Sequence, residues 1–213
     1  MLVVITPASD PNLFTVEQAR AFVGLNEGDI SHDDTLQRLT DRVSAEIYAA
    51  CRIVRATGSP RTLRRETVRE TKLFRGGERI TLARRHEIAL TSLSVAGSAQ
   101  DVANYFVEGD SGLITCIAAN QVSTWGTGLI VAEYAAGFED VPADLLGAAS
   151  DLLRVFYSGD ARDPLVKSVR VDVDGLEEVE TQYFAGSSST STVTGLPSDI
   201  MARLHPYRNS TYA

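Results

Sequence analysis

Apolar residues that recur at steps of three and four predict two helices in the first third of the chain. A short helix follows Thr15, which acts as its capping residue. The apolar face of that helix consists of Val16, Ala19, Phe22 and Val23. A long helix opens at Ser31 or Asp33 and is stopped by Gly58 and Pro60. Its apolar stripe consists of Leu36, Leu39, Val43, Ile47, Ala50 and Val54.

Beyond the long helix the pattern changes to the alternation of apolar and polar residues that is typical of strands. Two alternating runs, 62–74 and 78–84, flank Gly76 and Gly77 and predict a β-hairpin. Further strands are predicted over residues 89–95, 102–107, 113–118 and 128–134. Residues 1–14 show neither period, and we expect them to form an extended arm.

A second substantial helix is predicted after the strands. It begins at Pro142, because proline suits the first helical position, runs to Tyr157 and is ended by Gly159. Two further alternating runs, 166–173 and 176–184, predict a second hairpin about Asp174 and Gly175.

The end of the chain has a different composition. Gly186–Gly195 contains only Gly, Ser, Thr and one Val, which is typical of a flexible linker. The stretch Pro197–Leu204 that follows is amphipathic, with Ile200, Met201 and Leu204 on one face. A flexible tether before an amphipathic segment is typical of a docking arm.

These elements predict an α+β fold in which helices and strands are segregated along the chain. The helical core, made of the short helix, the long helix and the Pro142–Tyr157 helix, comprises residues 1–60 and 135–160. The other predicted units are a β-rich insertion (61–134), a β-hairpin (161–185), and a flexible linker with a C-terminal docking arm (186–213).

The charge of the chain is unevenly distributed. The net charge is −8, yet residues 51–90 carry eleven Lys and Arg against four Glu, and the remainder is strongly acidic. Phosphate repulsion by the acidic part makes a general nucleic-acid binder a poor interpretation. Head-to-tail self-association, with the basic strip of one copy against the acidic face of the next, fits better. A solvated basic hairpin face is the alternative.

The sequence contains no positive argument for catalysis, a metal site or a cofactor. The three histidines, His32, His86 and His205, lie in different regions, and no phosphate-binding loop or nucleophile elbow is present. Cys51 and Cys116 lie in apolar surroundings, where free buried thiols are favoured over a disulfide. No apolar run of transmembrane length and no secretory signal is visible, so we expect a soluble chain that is not an enzyme.

Three segments resemble the head–tail connector (adaptor) proteins of long-tailed bacteriophages and phage-like particles. The first is Thr15–Arg20, a polar loop, and Asp33–Leu36 leading into the long helix. The second is Val131–Phe138, which contains Tyr-Ala-Ala-Gly-Phe, followed by Val-Pro-Ala-Asp-Leu at residues 141–145. The third is the ending, from Leu196-Pro197 to Pro206-Tyr207-Arg208. Their order and spacing carry the resemblance.

The resemblance implies a structural virion protein in the neck between capsid and tail, made in the host bacterial cytoplasm. The subunit would form a closed ring of about twelve copies under the portal protein. That ring would extend the DNA channel, through which DNA passes without specific binding, and would dock a stopper or tail terminator protein. No membrane, cofactor or metal is implied.

Two sets of residues are predicted to make these contacts. The portal-docking arm would use Leu196, Pro197, Ile200, Leu204, Pro206 and Tyr207. The subunit or next-component interface would use Arg64, Arg65, Arg69, Arg79, Arg84 and Arg85. An arm folded back on its own domain is the alternative for the first set, and deletion of 196–213 is expected to leave a folded protein.

Other functions remain open at this point. A tail terminator or completion protein is one, although such proteins are usually shorter and centred on a β-sandwich. A small-ligand or nucleic-acid binding module is another, and it would require a stable monomer with a deep apolar pocket. A hydrolase with residues dispersed along the sequence is the third.

Overall fold

A computed structural model describes residues 1–160, 168–171, 179–182 and 196–209. The helices are α1 (Val16–Val23), α2 (Asp33–Ala50), α3 (Ala143–Asp160) and α4 (Ser198–Arg203). The strands are β1 (Leu2–Thr6), β2 (Glu66–Phe74), β3 (Arg79–Thr81), β4 (Ala89–Val95), β5 (Ser98–Gln100), β6 (Tyr105–Glu108), β7 (Leu113–Ala118), β8 (Gln121–Ser123), β9 (Gly128–Ala136), β10 (Ser168–Val171) and β11 (Val179–Gln182). Helices coexist with antiparallel sheets, as the predicted α+β class requires.

The start of α1 was correctly predicted, and its physical basis is a capping box. The Thr15 hydroxyl accepts from the Gln18 amide, and the Gln18 side chain accepts from the Thr15 amide. The helix ends where Gly24 adopts a left-handed conformation with φ of 77°. Both ends of this short helix are therefore encoded locally.

The end of α2 differs from the prediction. The helix stops at Ala50, well before Gly58 and Pro60. The Ile53 amide donates to the Tyr48 carbonyl and the Arg52 amide to the Ala49 carbonyl, which is a Schellman motif. Its left-handed position, usually glycine, is occupied by Arg52 with φ of 56°, so the sequence shows no stop signal. At the other end neither Ser31 nor Asp33 caps the helix.

A five-stranded antiparallel sheet has the order β1-β2-β9-β4-β5. β2 and β9 pair in continuous register from Glu66↔Ala136 to Phe74↔Gly128. β1 forms one edge, so the predicted extended arm is in part a strand. The rest of the arm is tied to the helices, since Leu13 and Phe14 are buried and the Leu13 amide donates to Ser44 Oγ.

The predicted hairpin between β2 and β3 is wrong. β2 pairs with β1 and β9, whereas β3 pairs with β7 in a second sheet of order β3-β7-β6, to which β8 adds beside β7. The chain leaves the first sheet through Gly76 and Gly77, both at positive φ, and Gly77 bridges to Trp125. Burial of Ile80 and Trp125 between the sheets stabilises this separation.

Two boundaries also need correction. Residues 102–104 form a 3-10 turn capped by Asp101, so the predicted strand at 102–107 begins only at Tyr105. α3 passes through Gly159 to Asp160, because an isolated glycine near a helix end lowers helix stability without breaking the helix.

The second predicted hairpin is represented by β10 and β11, which pair antiparallel from Ser168↔Gln182 to Val171↔Val179. Its turn at Asp174 and Gly175, and the linker at 186–195, lie outside the described residues.

The described residues form two apolar clusters. The first joins α1, α2 and α3 and includes Phe14, Leu36, Ile47 and Leu152. The second lies between the two sheets and includes Val68, Ile114 and Tyr134. The helical and β-rich parts expected from the sequence thus have separate cores, and β1 and the C-terminal segment cross between the predicted boundaries.

Candidate assembly surfaces

The C-terminal segment, residues 196–209, is packed into the helical cluster. The predicted anchors Leu196, Ile200, Leu204 and Tyr207 are 6%, 1%, 0% and 8% exposed. Pro197 and Pro206 remain exposed. This is the alternative in which the arm folds back on its own domain.

Polar contacts hold this segment to α3 and to the residue that follows α2. Tyr207 Oη donates to Asp144 Oδ1 at 2.5 Å, and Arg203 pairs with Asp151 of α3 at 2.7 Å. The Asn209 amide donates to the Cys51 carbonyl at 2.8 Å. Burial and then the bond to Asp144 raise the pKa of Tyr207 well above its usual value.

The burial of this segment changes the expectation for its deletion. Removing 196–213 would strip apolar surface from the helical cluster, so we now expect destabilisation where the sequence suggested a folded remainder. Portal docking by Leu196, Ile200, Leu204 and Tyr207 stays a prediction. It requires these side chains to leave their present contacts.

The six predicted interface arginines do not form one surface. Arg84 is only 4% exposed and forms a buried ion pair with Glu66, which is a correction to its assignment as a surface residue. Charge and chain position grouped Arg84 with the exposed arginines, but the loop after β3 crosses the inner face of the first sheet, where the Ala83 amide donates to Glu70 and Glu66 is buried.

The remaining members of that set differ in their burial and in their partners. Arg69 pairs with Glu133 on the neighbouring strand, and Arg65 pairs with Glu87. Arg85 donates to the carbonyls of Asp110 and Arg208, while half-buried Arg64 lies at the junction with Phe138. Arg79 is exposed on β3 in the other sheet. Their role as an interface stays a prediction, although the six arginines do not form the continuous basic strip that the sequence suggested.

A cleft that sequence reasoning missed lies at the C-terminal end of α2. It has a volume of about 500 Å³ and is lined by Pro11, Asn12, Asp41, Ser44, Ala45, Tyr48, Arg55, Pro60 and Arg61. Arg55 and Arg61 are exposed, and neither has an ion-pair or hydrogen-bond partner among the described residues. The run of arginines after residue 51 was the local signal that could have indicated this cleft. The cleft itself forms because α2 ends early, at Ala50.

The junction between the sheet and α3 is built from buried aromatic and polar groups. His86 stacks on Phe138 with ring centroids 4.8 Å apart, and Tyr207 lies 5.7 Å from His86. Close by, Glu70 Oε2 accepts from Tyr134 Oη and from the Ala83 amide, both at 2.8 Å. The C-terminal segment covers this junction.

Because His86 is buried, we expect the free energy of unfolding to depend on pH. Burial, and then the cation of Arg85, lower the pKa of His86 below its usual value. The unfolded chain takes up the proton first, so stability present near neutral pH is lost as pH falls below about 6.5. Between about pH 7.5 and about pH 5.5 the wild type should lose more unfolding free energy than His86→Asn, by at most about 1.4 kcal/mol, the free energy of one pH unit.

Asparagine is the appropriate replacement because residue 86 has φ of 69°, a conformation that asparagine tolerates. Denaturant unfolding at the two pH values measures the difference. An identical pH slope in the two proteins would show that folding does not lower the pKa of His86. Glu66, whose pKa burial raises despite Arg84, is present in both proteins and cancels in the comparison.

The described residues contain no group of three or more His, Cys, Asp or Glu placed to hold a metal ion. Within the same ranges, no helix has the length and hydropathy needed to span a membrane. Cys51 and Cys116 are free thiols, as expected, and burial raises the pKa of Cys51 to about 12.

Nearly the whole chain shares its fold with a chain of a phage-like particle. That chain belongs to the neck of an empty GTA (gene transfer agent) particle, computed with C6 symmetry. The similarity covers 98% of this chain and 95% of that chain, with a TM-score of 0.54 and 19% sequence identity. No protein-family model and no curated protein matches the sequence. At this identity the likeness establishes the fold.

Proposed function

We propose that the chain is a structural neck protein of a phage or phage-like particle, namely a head–tail connector. The observation that carries the proposal is the fold match with a neck component over 98% of this chain. A match of this extent includes both the helical and the β-rich parts. It therefore supports the function more strongly than a match to either part alone.

Two of the three segments that resemble connector proteins have structural roles at one junction. Tyr134 is buried at the end of β9, Gly137 turns the chain, and Phe138 packs on His86 before α3 begins. The ending that completes the resemblance places Tyr207 on the same aromatic cluster. The second and third of these segments thus meet in space, which supports a common architecture with that family.

In the proposed role, about twelve copies form a closed ring under the portal and extend the DNA channel. The ring then docks a stopper or tail terminator protein in the virion neck. The net charge of −8 suits a channel through which DNA slides, since a basic lining would retain it. This role is mechanical and requires neither catalysis nor a cofactor.

Mass photometry of the purified chain, alone and mixed with the portal protein of the same particle, tests the proposal. We expect either a ring of the free chain or a monomer that forms a ring on the portal. A chain that stays monomeric and ignores the portal would contradict the connector function.

The same mixture separates the alternative functions. A tail terminator or completion protein would bind tail components and leave the portal unbound. A small-ligand module would remain monomeric in both samples. Hydrogen exchange of residues 196–209 in the free and portal-bound chain tests the docking arm, because contact with the portal must change the protection of these amides.

A further inference from the structure

The loop that leads into α2 presents an exposed apolar side chain between two free carboxylates. Ile30 is 71% exposed, the largest exposed fraction of any internal large hydrophobic residue among those described. Glu27 and Asp34, on either side of it, are exposed, and their carboxylates have no partner within the described part of the chain. A single exposed isoleucine is ordinary by itself. Together with the two unpaired acids it gives this loop one apolar and two anionic groups for a contact with a surface of opposite charge.

This acidic loop, residues 26–34, is held in one conformation by Arg20 of α1 and by hydrogen bonds within the loop. Arg20, itself 9% exposed, donates from Nε and Nη2 to the two carboxylate oxygens of Asp33 at 2.7 and 2.6 Å. Its Nη1 also donates to the Glu27 carbonyl at 3.3 Å. Asp29 accepts from the amide and hydroxyl of Ser31. A loop ordered before binding loses little entropy on binding.

The cleft at the other end of α2 has the complementary character. Its two exposed arginines, Arg55 and Arg61, are unpaired among the described residues. Its walls include the apolar surfaces of Ala45 and Pro60. Tyr48 is fixed in the wall because its hydroxyl donates to the Pro11 carbonyl at 2.6 Å. The cleft thus combines two exposed arginines with an apolar floor made by Ala45 and Pro60, and its lining also includes the carboxylate of Asp41, which accepts from the side chains of Asn12 and Gln37.

A single copy cannot bring these two surfaces together. α2 contains 18 residues and is therefore about 27 Å long, with the acidic loop at one end and the basic cleft at the other. Two different, complementary surfaces at opposite ends of one element are what a head-to-tail contact between copies requires. Charge complementarity also fixes the order in which they meet.

We propose that the acidic loop of one copy docks into the α2 cleft of the next copy, with Ile30 on the apolar floor and the carboxylates of Glu27 and Asp34 facing Arg55 and Arg61. The occupant of the cleft is thus a second copy of this chain. The inference rests on the proposed ring and adds the surfaces that would close it.

Helix-end electrostatics accounts for only part of this arrangement. Acids at the start of α2 and basic residues near its end stabilise the helix dipole, but this effect falls off within one turn. It explains the position of Asp34, whereas Arg61 lies far beyond the end of α2 at Ala50. It also gives no reason for an exposed isoleucine at position 30.

Charge reversal tests the pairing in the full chain. The double variants Arg55→Glu/Arg61→Glu and Glu27→Lys/Asp34→Lys should each weaken assembly about tenfold or more, with a larger effect at low salt. Mixing the two variants should restore assembly, because each then supplies the surface that the other needs. A control variant, Arg75→Glu, reverses an exposed charge that lies outside the cleft and outside the predicted arginine interface, and it should assemble as the wild type does.

A cysteine pair provides a measurement that does not depend on ring formation. Within one copy, Ile30 and Ala45 are separated by most of α2, about 18 Å for the helical part alone, so their cysteine variants cannot form an internal disulfide. In a Cys116→Ser background, Ile30→Cys/Ala45→Cys should give a ladder of covalently linked multimers on oxidation. Each single variant should give none.

The outcomes distinguish the two levels of the proposal. Rings that form without cross-links and are indifferent to reversal at Arg55 and Arg61 would overturn the loop–cleft contact and leave the connector function standing. A wild-type chain that neither assembles, alone or with portal, nor cross-links in the cysteine variant would overturn both. Cross-links together with rescue in the mixture would support both.

Discussion

Gly137→Ala is expected to destabilise the protein by more than about 4 kcal/mol, enough to prevent folding of many domains. Gly137 has φ of 95°, a conformation that side chains rarely adopt. A Cβ there would lie 2.5 Å from the Arg64 carbonyl oxygen and 2.7 Å from that of Leu63. These oxygens cannot move independently, because the Phe138 amide donates to the Leu63 carbonyl in the same crossing.

Gly97→Ala is the matched control. Gly97 also has positive φ, 83°, but a Cβ there would meet nothing within 4 Å. Its cost should be limited to the backbone conformation, about 1 to 2 kcal/mol. Urea unfolding of both variants measures the difference between their losses of unfolding free energy. That difference is the cost of the clash between the added Cβ and the backbone at residue 137. Equal losses for the two variants would show that the sheet–helix junction relaxes around the added methyl group.

Arg84→Met is expected to cost about 3 to 5 kcal/mol of unfolding free energy at neutral pH. The substitution leaves the Glu66 carboxylate, whose side chain is 2% exposed, without its cation. In the native pair, Arg84 Nη2 and Glu66 Oε1 are 2.5 Å apart. Burial of an unpaired carboxylate is costly because no water replaces the lost partner.

The double variant Glu66→Leu/Arg84→Met separates the value of the pair from the cost of breaking it. Replacing both charges with apolar side chains should recover most of the stability lost in the single variant. Denaturant unfolding of the wild type, the single variants and the double variant completes the cycle. An Arg84→Met protein within about 0.5 kcal/mol of the wild type would show that solvent reaches Glu66 after the substitution.

The helices were predictable because their signals are local. The apolar steps from Leu36 to Ile47 place one face of α2 toward the core, and the capping box at Thr15 marks the start of α1. The end of α2 was not predictable, because its Schellman motif uses Arg52 in a conformation usually left to glycine. A stop signal that depends on conformation alone leaves no mark in the sequence.

Strand positions were also accessible, whereas strand partners were not. Alternation located β4 and β7 at their observed bounds. The pairing of β2 with β9 depends on contacts between residues some sixty positions apart, such as Val68 with Tyr134. No local pattern encodes such a choice, so the glycine pair after β2 was misinterpreted as a hairpin turn.

The candidate assembly surfaces show the same division. The excess of arginine between residues 51 and 90 is visible in the sequence, but charge alone does not tell buried Arg84 from exposed Arg55. The amphipathic C-terminal segment was identified correctly, while its present partner, the helical cluster of its own chain, was the alternative that the sequence left open. An apolar face indicates that a segment must be buried, but it does not identify the surface against which the segment packs.

The amino-acid sequence by itself determined the α+β class, the positions of the amphipathic helices α1, α2 and α3 and of most strands, and the resemblance to connector proteins. Periodicity and caps act over a few residues, which is why these features are readable one segment at a time. Tertiary structure alone decided which strands pair, that Glu66 and Arg84 neutralise each other inside, and that an acidic loop and a basic cleft lie at opposite ends of α2. Those outcomes depend on packing between distant segments, where the free energy of burial selects one arrangement among several that the local pattern permits.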